Sequence, residues 1–544
     1  MATPTRKIFR EIYGTKITDY TRPRLPKKFE TFYFFRITHV DRFKNHLAKL
    51  VPLITTADDA FKMREDLYSK KANGTLAGLI KLSAVNVSFS SKGLAKMAIK
   101  SSFSDNRQLN AEGFSDEVFN NGQYQDMTYP EAGQDPKKHQ GLDDQHDWYH
   151  HFKPRNGWID GVFIVVGDSA ATVKRTIDRL IEGIFEVGKG GQSLQRVCSQ
   201  SGHVLDDDRE HFGWVDGLSQ PVVIGLDDLE KKKNPEGMKP IPAGTILVGG
   251  DQDTSTTPAW AKDGSFMVYR IYEQRYSFRL SIRQLPKACR HLLLEWCASN
   301  IERIKIDKGF SDQAKKELRL FSSRVMGRWP DGAPLELHPT DDPSVVLDHE
   351  PNENVRKLKE KWGADFDKNW KEQEVRNHTD NFNYNADDQT KCPYASHIRK
   401  CGPRDDHPFY HKHLMLRRGI PYGDLTLTPE KEGGVSQVER GLLFVSYQSS
   451  IQNGFRTVQK EWANKADGPD DKSEECGGLP QGIDPIIGQV PPHRRDDDEV
   501  TMYKSPAPLE NTKTVGINRF IIPRGGEYFF SPSISGMKDH LCKA

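Results

Sequence analysis

No stretch of the 544-residue chain approaches the roughly 18 apolar residues that a membrane-spanning helix needs. Neither sign of charge prevails: 78 lysines and arginines stand against 76 aspartates and glutamates. That balance makes no polybasic case for nucleic acid or a membrane surface as partner. Cysteine is sparse, with seven residues at 198, 289, 297, 392, 401, 476 and 542. An odd, scattered set does not make a disulfide framework, and the nine-residue step from Cys392 to Cys401 lies outside zinc-finger spacing. They read as free thiols of an intracellular protein. Residues 1–14, MATPTRKIFREIYG, lack the apolar centre of a secretory signal. As numbered, the expectation is an intracellular protein, or a secreted one if a leader has been removed. No short tandem repeat is present.

What is there fits a polar globular chain, 36% hydrophobic with a mean hydropathy of −0.70. The length exceeds one ordinary core and predicts two domains. Residues 1–75 are charged and show no period, and are expected to form a peripheral extension. Residues 85–89 (VNVSF) alternate like a strand. The polar run 104–157, with His139, His146, His150 and His151 at irregular spacing, reads as a long solvated loop. Residues 157–166 end in a strand-type apolar run. Ser169 then offers an N-cap, and Val173, Ile177, Leu180, Ile181, Ile184 and Phe185 recur at helical spacing. Residues 227–243, charged and proline-bearing, read as a linker or a long surface loop, and the units are placed at 1–75, 76–240 and 241–544. The second half repeats the plan, with strand-like segments at 244–249, 265–272, 440–448, 519–523 and 527–532. Ile451, Phe455, Val458 and Trp462 lie at helical spacing between them.

The chemistry-bearing stretch runs from Lys391 to Gly423. A neutral imidazole such as His397 is the commonest side-chain ligand for iron. Twenty residues on, Arg417 and Arg418 offer permanent positive charge that can stabilise charge developing on oxygen. Each alone is ordinary. Asp216, between Trp214 and Gly217, supplies a carboxylate, although aspartate before glycine is commonly a turn residue.

Six segments together resemble one family. HFGWVDGLSQP, KCPYASHIRKCGPR, RRGIPYG, RGLLFVSYQ, GIDPIIGQ and PRGGEYFFSP are similar, in family order, to the dye-decolourising peroxidases, and most to the longer fungal-type members. The resemblance implies an α+β protein of two ferredoxin-like domains, each an antiparallel β-sheet with peripheral helices. The first would span 76–240 with the distal motif. The second, 241–544, would carry most of the contacts to one haem b per chain. It implies His397 as axial iron ligand, Asp216 as acid–base group and Arg417 as its distal partner. Arg399 becomes a cofactor-binding residue, Leu442 and Phe444 shape the pocket, and Asp484 accepts from the other ring nitrogen of His397. Tyr422 and Trp462 match surface radical positions. The implied partners are hydrogen peroxide and bulky aromatic donors such as dyes and phenols, oxidised in one-electron steps, with an oligomer allowed. The alternative is a haem-binding or haem-handling protein on the same fold without a peroxidase role.

Overall fold

The computed structural model describes residues 28–56, 59, 62, 83–98, 114, 116–128, 141–154, 157–205, 209–225, 237–255, 257–275, 312–340, 342, 380–424, 438–472, 474, 481–489 and 520–543. The strands are β1 (Phe29–Ile37), β2 (Ser83–Phe89), β3 (Gly161–Gly167), β4 (Leu194–His203), β5 (Ser265–Gln274), β6 (Leu416–Arg417), β7 (Ile420–Tyr422), β8 (Gly441–Gln448) and β9 (Ile521–Ser531). The helices that matter below are α1 (Val40–Leu50), α2 (Ser91–Ala98), α3 (Ala170–Thr176), α4 (Asp312–Met326), α5 (His397–Cys401) and α6 (Gln452–Ala463).

All nine strands join one sheet in the order β4-β1-β3-β2-β9-β5-β8-β6, with β7 also on β8. Its two halves have the same pattern. In each, the first and third strands in sequence are central and the fourth lies beside the first, which is the βαββαβ ferredoxin-like arrangement. The halves meet where β2 touches β9 through the single pair Phe89–Phe530. The sheet curls strongly. Phe34 of β1 packs on Tyr269 of β5 at a ring distance of 5.0 Å and on Phe529 of β9 at 6.2 Å, although other strands separate them in the sheet. At the far ends β7 closes on β4. A Cβ at Gly202 would lie 2.6 Å from Ile420 Cγ2 and from the Pro421 carbonyl oxygen, so only glycine fits there.

Several expectations need correction. The segment 1–75 is not peripheral where it is described. β1 pairs with both β3 and β4, and Phe43, Leu47 and Leu50 of α1 are buried. β1 (FETFYFFRI) is covered on both faces, so it shows no alternation to detect. The polar segment 104–157 is also tied to the core. Gln123 is fully buried and donates to the Tyr269 carbonyl at 3.1 Å. Asp126 meets Lys460 at 2.8 Å and Tyr528 at 2.7 Å. Of the expected linker 227–243, the described part is packed, with Ile241 buried and bridged to Val223. The N-cap on Ser169 forms as expected, accepting from Thr172 N at 3.2 Å. Among the described residues, no helix is long and apolar enough to cross a membrane.

Candidate functional site

A cavity of ≈ 720 Å³ opens beside β8, between α5, α6 and the segment that follows β4. His397, the first residue of α5, lines it. Its Nδ1 lies 2.8 Å from Asp484 Oδ2. Asp484 is fully buried, and its Oδ1 accepts from the backbone N–H of Ile486 at 2.7 Å and of Ile487 at 3.0 Å. Burial would lift Asp484 and depress His397. Their mutual attraction reverses both, holding the carboxyl below its ordinary range and the imidazole well above it. Asp484 stays an acceptor, so Nδ1 keeps its proton, and a metal would take the place of the proton on Nε2.

Asp216 and Arg417 border the same cavity. Asp216 sits in a tight turn between Gly213 (φ 97°) and Gly217 (φ 75°), both in the left-handed region that glycine tolerates best. Its Oδ1 accepts from Gly217 N at 2.6 Å. Three links fasten this turn to the arginine segment. Arg417 Nη2 donates to the Ser219 carbonyl at 2.5 Å. Gln220 accepts from Arg417 N at 3.1 Å and donates to its carbonyl at 3.2 Å. His211 Nε2 donates to the Tyr422 carbonyl at 2.8 Å, and burial pushes the pKa of that histidine down to about 4. Leu442 and Phe444 lie two apart on β8, hence on one face of the strand, and both line the cavity.

Strand alternation predicts that only one of Arg417 and Arg418 faces the cavity, yet both border it. β6 ends at Arg417, so the alternation of a continuous strand does not extend to Arg418. Arg418 is buried and donates to the Arg417 carbonyl at 2.7 Å.

Arg399 is not a cavity residue. It is clamped by Asp406 at 2.7 Å and by the carbonyls of Asn385, Asp388 and Cys392, with its guanidinium 4.7 Å from the Tyr384 ring and 4.4 Å from that of Tyr394. Two residues on in α5 from His397, it lies on a different face of the helix. Arg404 and Arg328 line the cavity instead. Both pair with Asp380 Oδ1, two cations on one carboxylate oxygen among the described residues. Arg404 holds a left-handed φ of 55°, an uncommon conformation for a non-glycine residue.

Tyr422 and Trp462 are not surface residues, being 7% and 5% exposed. The Tyr422 hydroxyl donates to Glu439 at 3.0 Å. Trp462 packs edge-on against His413, which lines the cavity, at 5.0 Å and against His407 at 5.4 Å. Glu210 is a site residue that sequence reading passed over. Its carboxylate accepts from Phe212 N and Trp214 N, both at 2.8 Å, and from Gln274 of β5. Its position one residue before HFGWVDG was the available signal.

Residues 22–204 match the family model described as the DyP dimeric alpha+beta barrel domain, and residues 359–476 match that of the Dyp-type peroxidase C-terminal region. Peroxidase 2 of Mycetinis scorodonius is 30% identical over 536 residues, covering 95% of this chain and 85% of that one. The solved structure of an ancestral D-type dye decolorizing peroxidase is 33% identical with a TM-score of 0.70, covering 98% of this chain and 99% of that one. A dye-decolorizing peroxidase in complex with 2,6-dimethoxyphenol is 30% identical with a TM-score of 0.69 and the same coverage. With a ferredoxin-like pair of half-sheets, both family models matched in chain order and relatives aligned along almost its whole length, the chain belongs to the dye-decolourising peroxidase family.

Proposed function

We propose that this chain is a haem-dependent oxidoreductase that uses hydrogen peroxide to oxidise dyes, phenols and other bulky aromatic donors in one-electron steps. The observation that carries the reading is the meeting of His397, Asp216 and Arg417 at one cavity, with the histidine's other nitrogen already engaged by Asp484. The residues present fit a haem. The cavity is in the range of cofactor sites and largely apolar-walled. Of the two histidines that border it, His397 is the one whose Nδ1 is held by a buried carboxylate, which leaves Nε2 as its ligand atom. Arg328 and Arg404, both cavity-lining cations, suit the anionic edge of a porphyrin. One haem b per chain is the expected load.

When bound, the haem supplies an iron centre that takes two oxidising equivalents from peroxide and returns them one electron at a time. The overall balance is one peroxide and two donor molecules, each losing a hydrogen atom, giving two waters and two donor radicals. His397 would hold the iron, and Asp484 orients its ring through the bond to Nδ1. Asp216 takes a proton from one peroxide oxygen and returns it to the other, which leaves as water. Arg417 stabilises the negative charge that develops between these steps. Leu442 and Phe444 narrow the approach. A haem carrier needs the ligand but not an acid–base carboxylate beside an arginine, so the pair favours the enzyme over a haem-handling role.

The phenol bound by the solved relative makes phenols a reasonable donor class here. A donor too large for the cavity requires electron transfer through the protein. The test is spectroscopic: the parent protein should bind haem with a Soret band and bleach an anthraquinone dye only with peroxide, whereas His397→Ala should fold but retain little haem. Full haem occupancy in His397→Ala rejects the ligand assignment.

A further inference from the structure

His397 and Cys401 stand four residues apart on α5, so their side chains share one face of the helix. Both reach Asp484. Cys401 Sγ lies 3.3 Å from Asp484 Oδ2, the same oxygen that His397 Nδ1 approaches at 2.8 Å, while Sγ and Nδ1 are 3.9 Å apart. The 2.8 Å contact is a hydrogen bond, with no space for an ion between its atoms. An ionised carboxylate offers about four acceptor positions. Here Ile486 N and Ile487 N occupy Oδ1, and the imidazole and the thiol occupy Oδ2.

We propose that Cys401 is a positioning residue for the proximal pair: its S–H takes one acceptor position on Asp484 and so limits how strongly that carboxylate polarises His397. This rests on the reading of His397 as the iron ligand. A carboxylate behind a ligating histidine raises the basicity of the imidazole and thus its donation to the metal. A second donor on the same oxygen draws off part of that negative charge. A thiol is a weak donor, so it moderates the His397–Asp484 bond without breaking it. The backbone N–H groups of Ile486 and Ile487 fix the carboxylate from the other side, so removing the thiol leaves Asp484 in place. The effect then falls on the imidazole bond.

The test uses the haem-loaded full chain and two variants, Cys401→Ala and Cys401→Val. Both remove the donor, and the valine restores most of the lost volume. Resonance Raman of the ferrous form should show the iron–histidine stretch moving to higher frequency in both. Spectroelectrochemistry should show the ferric/ferrous potential moving to a more negative value in both. A packing role alone would displace Cys401→Ala and return Cys401→Val to the parent values, which would overturn the proposal. Loss of haem from both variants would overturn it by making the sulfur a ligand. Asp484→Asn is the control for the underlying reading and should shift both observables in the opposite direction. If Asp484→Asn shifts them and the Cys401 variants do not, the role given to Cys401 is wrong. If all three are silent, the proximal assignment of His397 falls with it.

Discussion

Asp216 and Arg417 come from segments two hundred residues apart, yet both border one cavity, and the reciprocal bonds of Gln220 tie the segment after Asp216 to the Arg417 backbone. Their separate contributions can be read from substitutions that keep the wall intact. Asp216→Asn preserves shape and removes the proton acceptor. It should retain haem and react with peroxide about 10²–10⁴-fold more slowly in stopped-flow, the usual contribution of a general acid–base group. Arg417→Leu should slow the same reaction by about 10²–10³-fold, as expected for loss of one charge-stabilising donor. Arg418→Leu should leave the peroxide rate near that of the parent and lower thermal stability, because Arg418 is buried with its Nη1 bonded to the Arg417 carbonyl. The reverse order of rates would move the distal role by one residue.

At the scale of elements, the turn at 210–217 and helix α6 frame the cavity. The turn is held by Glu210, whose carboxylate bonds two of its backbone N–H groups and anchors to Gln274 on β5. Glu210→Ala leaves those N–H groups short of a partner, at a cost of about 1–3 kcal/mol. The variant should melt earlier and react more slowly with peroxide while keeping its haem, since His397 is on a different element. Undiminished peroxide reactivity in Glu210→Ala would show that Asp216 needs no such clamp. In α6 the Arg456 N–H reaches back five residues to the Ile451 carbonyl, a wider turn than a regular α-helix makes. Phe455 and Val458 of this helix line the cavity, while Trp462 lies behind, against His413.

For the whole molecule, pH acts through buried groups of opposite sign. Burial pushes Glu210 and Glu527 up to about 7, so folding favours their protonated forms. Their contribution to stability is full below their ordinary range near 4.5 and is lost as pH rises through about 7. Burial pushes His151 and His211 down to about 4, so folding favours the neutral rings. That contribution is full above 6.5 and is lost as pH falls towards 4. The two effects oppose each other over the same window, and the thermal midpoint should change little between about pH 4.5 and 6.5. Glu527→Gln removes one of the two glutamates, the one away from the cavity. Relative to the parent, this variant should gain stability steadily as pH rises from about 4.5 through 7, as measured by calorimetry across that range. A constant offset between the two proteins would show that Glu527 does not titrate in the fold.

Although the apolar run 244–249 turns through Ala243–Thr245 and does not form the expected strand, the sequence by itself determined the family, the strands near 85–89, 161–166, 265–272, 440–448 and 521–531, the N-cap at Ser169, and the choice of His397, Asp216, Arg417, Leu442 and Phe444, which border the cavity, and of Asp484, which bonds His397. These are legible because strand period, helix spacing and short motifs are local properties of the chain. The tertiary structure decided the rest. β1 was hidden because both its faces are covered, which erases the alternation that marks a strand. Arg399 was chosen for its place in the motif, but the turn of α5 sends it to Asp406 and leaves Arg404 and Arg328 at the cavity. Arg418 borders the cavity because β6 stops after two residues. Tyr422 is buried because β7 lies against β8 and β4, and Trp462 because His407 and His413 pack on its ring, and exposure is a property of the closed molecule that no motif states. The meeting of Cys401 with Asp484 needed both kinds of information: spacing on one helix puts the thiol beside His397, and only the fold brings a carboxylate 83 residues distant to the same point.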